Sequence, residues 1–162
     1  MPDPARRALF RGQLQHQAAK RPPWALTEPA FLDACTRCHA CIEQCPEHVL
    51  STGSGGFPVF DPLRGECSFC GACAQACAPH ALDTTQVQPP WHWVAQVRDG
   101  ECLSQRGVVC RSCQDACGEQ AIRFELAMGG NATPSMDHDR CTGCGACIAT
   151  CPTLAIELYQ PD

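Results

Sequence analysis

Sixteen cysteines dominate the 162-residue chain, and their spacing divides them into four runs of four. Three runs share the spacing C-x2-C-x2-C-x3-C, and the other keeps the last two gaps but has seven residues in the first. In chain order the runs are Cys35, Cys38, Cys41 and Cys45; Cys67, Cys70, Cys73 and Cys77; Cys102, Cys110, Cys113 and Cys117; and Cys141, Cys144, Cys147 and Cys151. Cysteines in this number can form disulfides, or bind soft metals as thiolates.

A disulfide scaffold is the first interpretation to consider, because small secreted proteins use disulfides where their core is small. Secretion requires a signal peptide with an apolar stretch of about 7 to 15 residues. The first thirty residues contain no such stretch, and residues 12–20 read GQLQHQAAK. The sequence therefore disfavours disulfides.

A structural zinc ion is the second alternative. Four-cysteine zinc sites usually combine two C-x2-C pairs that lie about a dozen or more residues apart. Here three cysteines fall between Cys35 and Cys41, and one tetrahedral ion would have difficulty binding all three. A cubane presents a separate iron to each thiolate, and this spacing is typical of the 4Fe-4S clusters of bacterial ferredoxins. We therefore expect up to four 4Fe-4S clusters as cofactors.

In the ferredoxin pattern, the fourth cysteine of each run binds the cluster of the partner run. This rule predicts four ligand sets, each with three cysteines from one run and one from its partner. The first set is Cys35, Cys38, Cys41 and Cys77; the second is Cys67, Cys70, Cys73 and Cys45; the third is Cys102, Cys110, Cys113 and Cys151; the fourth is Cys141, Cys144, Cys147 and Cys117. Because each run needs a ligand from its neighbour, we expect that a single run does not fold alone.

Internal repetition predicts the fold class. Equivalent cysteines recur after 32 residues from Cys38 to Cys70 and after 34 from Cys113 to Cys147. A small apolar pair follows each fourth cysteine at a constant offset: Val49-Leu50, Ala81-Leu82, Ala121-Ile122 and Ala155-Ile156. Each unit is predicted to contain a cysteine loop, a short helix into the fourth cysteine, a turn and a strand. The expected fold is α+β, with two bacterial-ferredoxin-like halves, each a pair of 4Fe-4S modules with short helices and small antiparallel sheets.

Composition along the chain predicts the boundaries of these halves. We expect a basic N-terminal arm over residues 1–27, a first two-cluster half over 28–83, a linker over 84–90 and a second two-cluster half over 91–162. The linker sequence TTQVQPP has no apolar periodicity. After it, the alternation from Trp91 to Val97 predicts the first strand of the second half, and Ile122 to Leu126 alternate in the same way.

Charge is distributed unevenly. The formal net charge is −5, but residues 1–23 contain five cations and one anion, so they carry +4 and the remainder −9. A basic arm on an acidic body favours a protein partner over nucleic acid or a membrane surface, and we expect docking through Arg6, Arg7 and Arg11. The stretch around these arginines superficially resembles a twin-arginine export motif, but the sequence after it is polar. We therefore expect a cytoplasmic protein with no membrane span.

Motifs for other chemistry are absent from the sequence. There is no P-loop and no G-x-G-x-x-G, and scattered serines and aspartates do not suggest a catalytic triad. We expect a redox or binding protein, not an enzyme. Within the first run, Arg37 and His39 replace the small residues of the last run. A cation there would stabilise the reduced form of the adjacent cluster, and an orientation toward solvent is the equal alternative.

The cysteine spacing alone is shared by many ferredoxin-type proteins, but the residues in and around the runs resemble one family among them, the NapF family. They are the Arg21-Pro-Pro-Trp24 element and the segments GGFP at 55–58, ECSFC at 66–70, CRSCQD at 110–115 and CTGCGAC at 141–147. The resemblance covers essentially the whole chain, including the long gap after Cys102. One departure from the common motif is Ala78 and Gly118, where proline usually follows the fourth cysteine.

The resemblance implies a function and a partner. NapF proteins are cytoplasmic accessory proteins of the bacterial periplasmic nitrate reductase system. By this resemblance, the chain would assist cluster assembly in the molybdenum-containing catalytic subunit before its export, with the precursor of that subunit as its partner. The alternative is a soluble electron carrier that relays electrons to a reductase or a quinol-oxidising partner.

Overall fold

The structure is a computed structural model in which residues 19–85, 89–126 and 132–161 are described. We call residues 19–85 the N-terminal region and residues 89–161 the C-terminal region. The N-terminal region contains α1 (Glu28–Ala34), α2 (Ala40–Glu43), β1 (Leu50–Thr52), a 3-10 turn (Ser54–Gly56), β2 (Pro58–Phe60) and α3 (Ala72–Gln75). The C-terminal region contains β3 (Val94–Val97), α4 (Ser112–Asp115), β4 (Ile122–Leu126), β5 (Ala132–Met136), α5 (Ala146–Ala149) and β6 (Ile156–Tyr159). Arg6, Arg7 and Arg11 lie outside the described residues, as does part of the predicted linker.

Each of the sheets among these strands has two antiparallel strands, and the pairing is similar in the two regions. An inner pair joins neighbouring strands: β1 pairs with β2, and β4 pairs with β5. An outer pair joins the start of a region to its end. In the C-terminal region this is β3 with β6, and in the N-terminal region it is a single bridge between Ala25 and Leu82. The short helices and small antiparallel sheets form an α+β ferredoxin-like fold, as the sequence predicts.

The four short helices end at the same point of each run, two residues before the fourth cysteine. They are α2, α3, α4 and α5. Proline follows the fourth cysteine in two runs, whereas Ala78 and Gly118 follow it in the others, and the helices still end at the same offset. The helix end is therefore set by the cysteine turn and does not require proline.

The apolar pairs after the fourth cysteines form the centre of the core. Val49, Leu50, Ala81, Leu82, Ala121, Ile122, Ala155 and Ile156 are all buried. The third cysteine of each run is buried with them, namely Cys41, Cys73, Cys113 and Cys147. The centre of the core thus combines apolar side chains with cysteines, and larger residues such as Phe31, Phe60 and Trp93 are buried around it.

The segment Arg21–Trp24 packs as part of the N-terminal region. Pro22 and Pro23 are fully buried, and Trp24 is 6% exposed. The backbone of Trp24 donates to the Pro90 carbonyl at 2.7 Å and accepts from Asp83 N–H at 2.9 Å. This segment therefore connects the end of the N-terminal region to the beginning of the C-terminal region.

Candidate iron-sulfur centres

A left-handed residue between the second and third cysteines begins each cysteine helix in three of the runs. These residues are His39 with φ 65°, Gly71 with φ 79° and Gly145 with φ 92°. The equivalent Arg111 has φ −135°, in the run with the stretched gap. The reversal turns the chain so that the third cysteine faces inward from the short helix. The first three cysteines of a run can then surround one cavity.

A second repeated turn follows the fourth cysteine. The third residue after it has positive φ in all four runs, namely His48, His80, Gln120 and Leu154, with φ between 51° and 53°. Each donates its backbone N–H to the carbonyl of the fourth cysteine, at 2.9 to 3.1 Å. The sequence does not reveal these turns, because none of the four residues is glycine. Their only common signal is a constant distance from the cysteine and from the buried apolar pair.

Backbone N–H groups also point at several fourth-cysteine sulfurs. Leu82 donates to Cys77 Sγ at 3.4 Å, Ala121 to Cys117 Sγ at 3.3 Å and Ala155 to Cys151 Sγ at 3.2 Å. Hydrogen bonds to cysteine sulfurs are a main determinant of the reduction potential of a cluster. In these three runs the turn therefore positions the sulfur, and it would tune the potential of a cluster bound there.

Three cavities are each lined by four cysteines. One cavity is lined by Cys35, Cys38, Cys41 and Cys77, the members of the first set. A second is lined by Cys45, Cys67, Cys70 and Cys73, the members of the second set. A third is lined by Cys117, Cys141, Cys144 and Cys147, the members of the fourth set. In each case the structure brings three cysteines of one run together with the fourth cysteine of its partner.

In the third set, Cys113 is the cysteine that lies near other members of its set. Burial raises the pKa of the Cys113 thiol to about 11, and the nearby charges of Cys102 and Cys151 contribute to the increase. Cys110 Sγ lies 3.8 Å from Ser112 Oγ. The loop between Cys102 and Cys110 is folded on itself, since Val108 N–H donates to the Leu103 carbonyl at 3.0 Å. The stretched gap is thus a compact loop that ends beside the second cysteine of the run.

Burial controls the protonation of the inward-facing thiols. It raises the pKa of Cys73 and Cys147 to about 12, and that of Cys41 and Cys67 to about 11. Cys38 differs because it is exposed, and a backbone hydrogen bond from Ala40 lowers its pKa. Since metal ligation requires thiolates, binding at the buried positions must release their protons.

Arg37 and His39 are both tied to the turn between β1 and β2. The Arg37 guanidinium lies 5.3 Å from the centre of the Phe57 ring. His39 Nε2 lies 3.0 Å from the Gly56 carbonyl oxygen. Both residues also line the first-set cavity. They thus hold the turn against the first run, in addition to placing a cation near its sulfurs.

The donor chemistry around the cavities fits iron-sulfur clusters. Four sulfur ligands surround each of the three cavities, and soft thiolates are the usual ligands of such clusters. In the described part of the chain, no group of three or more His, Cys, Asp or Glu side chains is arranged to hold a single metal ion. Four thiolates that each bind a different iron of one cubane need not approach one point.

Comparison with known proteins shows two 4Fe-4S dicluster domains, over residues 34–82 and 108–155. The chain is 43% identical to the ferredoxin-type protein NapF of Haemophilus influenzae over 150 residues, which are 93% of this chain and 84% of the relative. It is 41% identical to NapF of Escherichia coli K12 over 156 residues, 95% of this chain and 93% of the relative. The chain belongs to the NapF family of ferredoxin-type proteins. It is also 34% identical to the ferredoxin-type protein NapG of E. coli K12 over 163 residues, 85% of this chain and 71% of the relative.

Membership of the NapF family, with two dicluster domains and sixteen cysteines, supports 4Fe-4S clusters as the cofactors, up to four per chain. The second matched domain begins after Cys102, so that cysteine lies outside both matched ranges. None of the described helices has the length and apolar character to cross a membrane.

Proposed function

We propose that the sixteen cysteines bind four 4Fe-4S clusters through the crossed ligand sets, in which each fourth cysteine serves its partner run. The three cavities support this assignment, because each is lined by three cysteines of one run and the fourth of the other. The third set is proposed by the same rule, and its Cys113 is buried like the third cysteine of each other run. Bound clusters supply one-electron chemistry, and the chain supplies ligands, hydrogen bonds and the surface on which a partner docks.

The chain functions as an accessory protein in the maturation of the molybdenum-containing catalytic subunit of periplasmic nitrate reductase, in the cytoplasm before export. The observation that carries this proposal is the similarity to NapF proteins over more than nine-tenths of the chain. By this account it holds the subunit precursor while that precursor acquires its own 4Fe-4S cluster. It is a redox and binding protein and not an enzyme.

The solvent exposure of individual proposed ligand cysteines favours the maturation function over an electron carrier whose clusters are enclosed by protein. Cys38 and Cys70, the second cysteines of their runs, are exposed to solvent. Val109, directly before Cys110, is 96% exposed. A cluster with an exposed ligand is accessible to a partner and is lost more easily than an enclosed one. Such accessibility suits a protein that acts on another protein's cluster site.

The basic N-terminal residues are the proposed docking element. Arg6, Arg7 and Arg11 precede the described residues and belong to a stretch, residues 1–23, that carries a net charge of +4 while the remainder of the chain carries −9. Charge of this kind increases the rate of encounter with an acidic partner and is screened by salt.

Capture of the precursor under anaerobic conditions tests the proposed function. The purified holoprotein is incubated with cytoplasmic extract, and bound proteins are identified while iron and acid-labile sulfide are measured on the same sample. Recovery of the unexported catalytic subunit with about sixteen irons per chain is the expected result. A variant with Arg6, Arg7 and Arg11 replaced by glutamate should bind less precursor at low salt with the same iron content. A fully loaded protein that captures no precursor contradicts the maturation function.

A soluble electron carrier is the second candidate function. The observation that favours it is a direct contact between the two regions at their cysteine runs, where Cys67 N–H donates to the Cys144 carbonyl at 2.8 Å. Rapid reduction of the loaded protein by a cellular donor, without precursor binding, would favour this function.

A further inference from the structure

The second and fourth cysteine runs meet through one backbone hydrogen bond. Cys67 N–H donates to the carbonyl oxygen of Cys144 at 2.8 Å. Cys67 belongs to the second ligand set and Cys144 to the fourth, so the bond joins two proposed ligands of different clusters. The runs that are neighbours along the chain across the linker are the second and the third. The spatial connection therefore differs from the order in the sequence.

Gly145 permits this close approach. It has φ +92°, and a Cβ atom there would lie 3.0 Å from Phe60 Cζ, 3.1 Å from Pro62 Cβ and 3.2 Å from the Gly65 carbonyl oxygen. All three of these atoms belong to the N-terminal region. A side chain at position 145 would therefore require these neighbours in the N-terminal region to shift by a few tenths of an ångström. Glycine suits this position because of the close contact between regions as well as the backbone conformation.

Gly71 occupies the equivalent position of the second run and provides a contrast. It also has positive φ, at +79°, but a Cβ atom there would meet only the Gln75 side-chain nitrogen, at 3.8 Å. Alanine at either glycine adopts the same unfavourable backbone region. Of these two positions, only position 145 would place the added carbon in tight contact with the other region.

Trp91 reinforces the same junction. Its Nε1 donates to the Thr142 carbonyl, inside the fourth run, at 2.7 Å. Its ring packs against Phe69, inside the second run, with centroids 5.2 Å apart, and against Phe60 at 4.8 Å. One indole thus contacts both runs and holds them in a fixed relation.

Within each region the ligand sets are already connected by the chain. In the proposed assignment, Cys45 of the second set lies four residues after Cys41 of the first, and Cys117 of the fourth set lies four after Cys113 of the third. Each of these links is a short helix end. The first set therefore adjoins the second, and the third adjoins the fourth. The junction between Cys67 and Cys144 completes the connection between the two regions.

We infer that the four ligand sets are joined in the spatial order first, second, fourth, third, and that the hydrogen bond from Cys67 N–H to the Cys144 carbonyl is the electronic junction between the two regions. The inference rests on the proposed ligand sets. Electron tunnelling is much faster through bonds and hydrogen bonds than across gaps of the same length. The first and third sets then form the two ends of the relay.

Two full-length double variants test the order. Cys38→Ala with Cys110→Ala should retain only the second and fourth clusters, and Cys70→Ala with Cys144→Ala should retain only the first and third. Iron analysis should give about eight irons for each purified protein. After full reduction, the electron paramagnetic resonance spectrum of the first double variant should be split by spin coupling. The second double variant should give two uncoupled signals. An unsplit spectrum from the first double variant with its irons present would overturn the inference.

Variants of the two glycines provide a second test of the junction, and all sixteen cysteines are kept in them. This test remains decisive if a double cysteine variant loses its remaining clusters. Gly145→Ala and Gly71→Ala are compared at equal iron content in the fully reduced state. Gly145→Ala should weaken the spin coupling and so reduce the splitting in the electron paramagnetic resonance spectrum relative to the native chain. Gly71→Ala should leave the splitting unchanged. Identical spectra from the two variants would contradict the proposed junction. Precursor capture is measured separately, so its failure would count against the maturation function and not against the junction.

Discussion

The two regions of the molecule join their first and last segments by different means. In the C-terminal region, β3 and β6 join the start of the region to its end through four residue pairs, from Val94–Tyr159 to Val97–Ile156. In the N-terminal region the corresponding connection is the single Ala25–Leu82 bridge, supported by buried Pro22, Pro23 and Trp24. A strand ladder in one region is thus replaced by bulky side chains in the other. The comparison shows that both regions are closed and that they are closed by different contacts.

Crossed ligation is the feature that the two regions are proposed to share, and breaking it should have the largest effect. Cys45→Ser should remove the cluster of the second set, because Cys45 lines the cavity of Cys67, Cys70 and Cys73. The residual spectrum of the reduced protein should match that of Cys70→Ser, with a loss of about four irons. Electron paramagnetic resonance and iron analysis of the three single variants provide the measurement. A spectrum that matches Cys38→Ser instead would show that each run binds its own cluster.

Among the residues that close the N-terminal region, Trp24 should contribute most to its stability. It is buried, lines the second-set cavity, and packs edge to face against Phe69 with centroids 6.5 Å apart. Trp24→Ala should lower the free energy of unfolding by about 3 to 5 kcal/mol, as measured by anaerobic urea unfolding. It should also accelerate cluster loss in the N-terminal region first.

Trp24→Phe is the matched control for this prediction. It keeps a ring in the cavity and removes an indole N–H that has no hydrogen-bond partner among the described residues. The loss of stability should therefore be clearly smaller than for alanine. Equal losses of stability in the two variants would show that an aromatic ring at position 24 is not what stabilises the closure of the N-terminal region.

The sequence predicted the features that depend on local spacing. The four cysteine helices occur where the runs place them, the repeated apolar pairs are buried, and the alternation at Ile122 to Leu126 is confirmed as a strand. In β4, Ile122 is buried whereas Arg123 and Glu125 are exposed, as period-two alternation requires. These features were predictable because each depends on a few neighbouring residues.

Features that depend on distant contacts were not predictable. The strand expected from Trp91 begins only at Val94, because Trp91 instead packs against Phe60 and Phe69 of the other region. The meeting of the second and fourth runs depends on residues far apart in the sequence and on the missing side chain at Gly145. A single sequence also gives no sign that a non-glycine residue such as Gln120 adopts positive φ, because the surrounding fold imposes that conformation.

The loop in the stretched gap of the third run is a further difference between the two regions, since the N-terminal region has no such loop. Ser104 in this loop is buried, and its hydroxyl donates to the Ala132 carbonyl at the start of β5. Ser104→Ala should leave that acceptor unpaired and lower the free energy of unfolding by about 1 to 3 kcal/mol. Ser135→Ala, at an exposed position of β5, is the control and should change stability little. Equal effects from the two substitutions would mean that the loop does not contribute to closure of the C-terminal region.

The residues at the positive-φ turns differ in how readily they adopt that conformation. A substitution at such a turn should change the free energy of unfolding less than the other changes above. Leu154 has φ 53° and is 47% exposed, so it combines an unfavourable backbone conformation with an apolar side chain in water. Asparagine tolerates the left-handed region better than leucine. Leu154→Asn should therefore raise the free energy of unfolding by up to about 1 kcal/mol. Leu63, which is 58% exposed and is not among the positive-φ residues, offers a matched control: Leu63→Asn should give no such gain in the same urea titration. A gain of equal size at both positions would assign the effect to the removal of exposed leucine, and the turn would then carry no measurable strain.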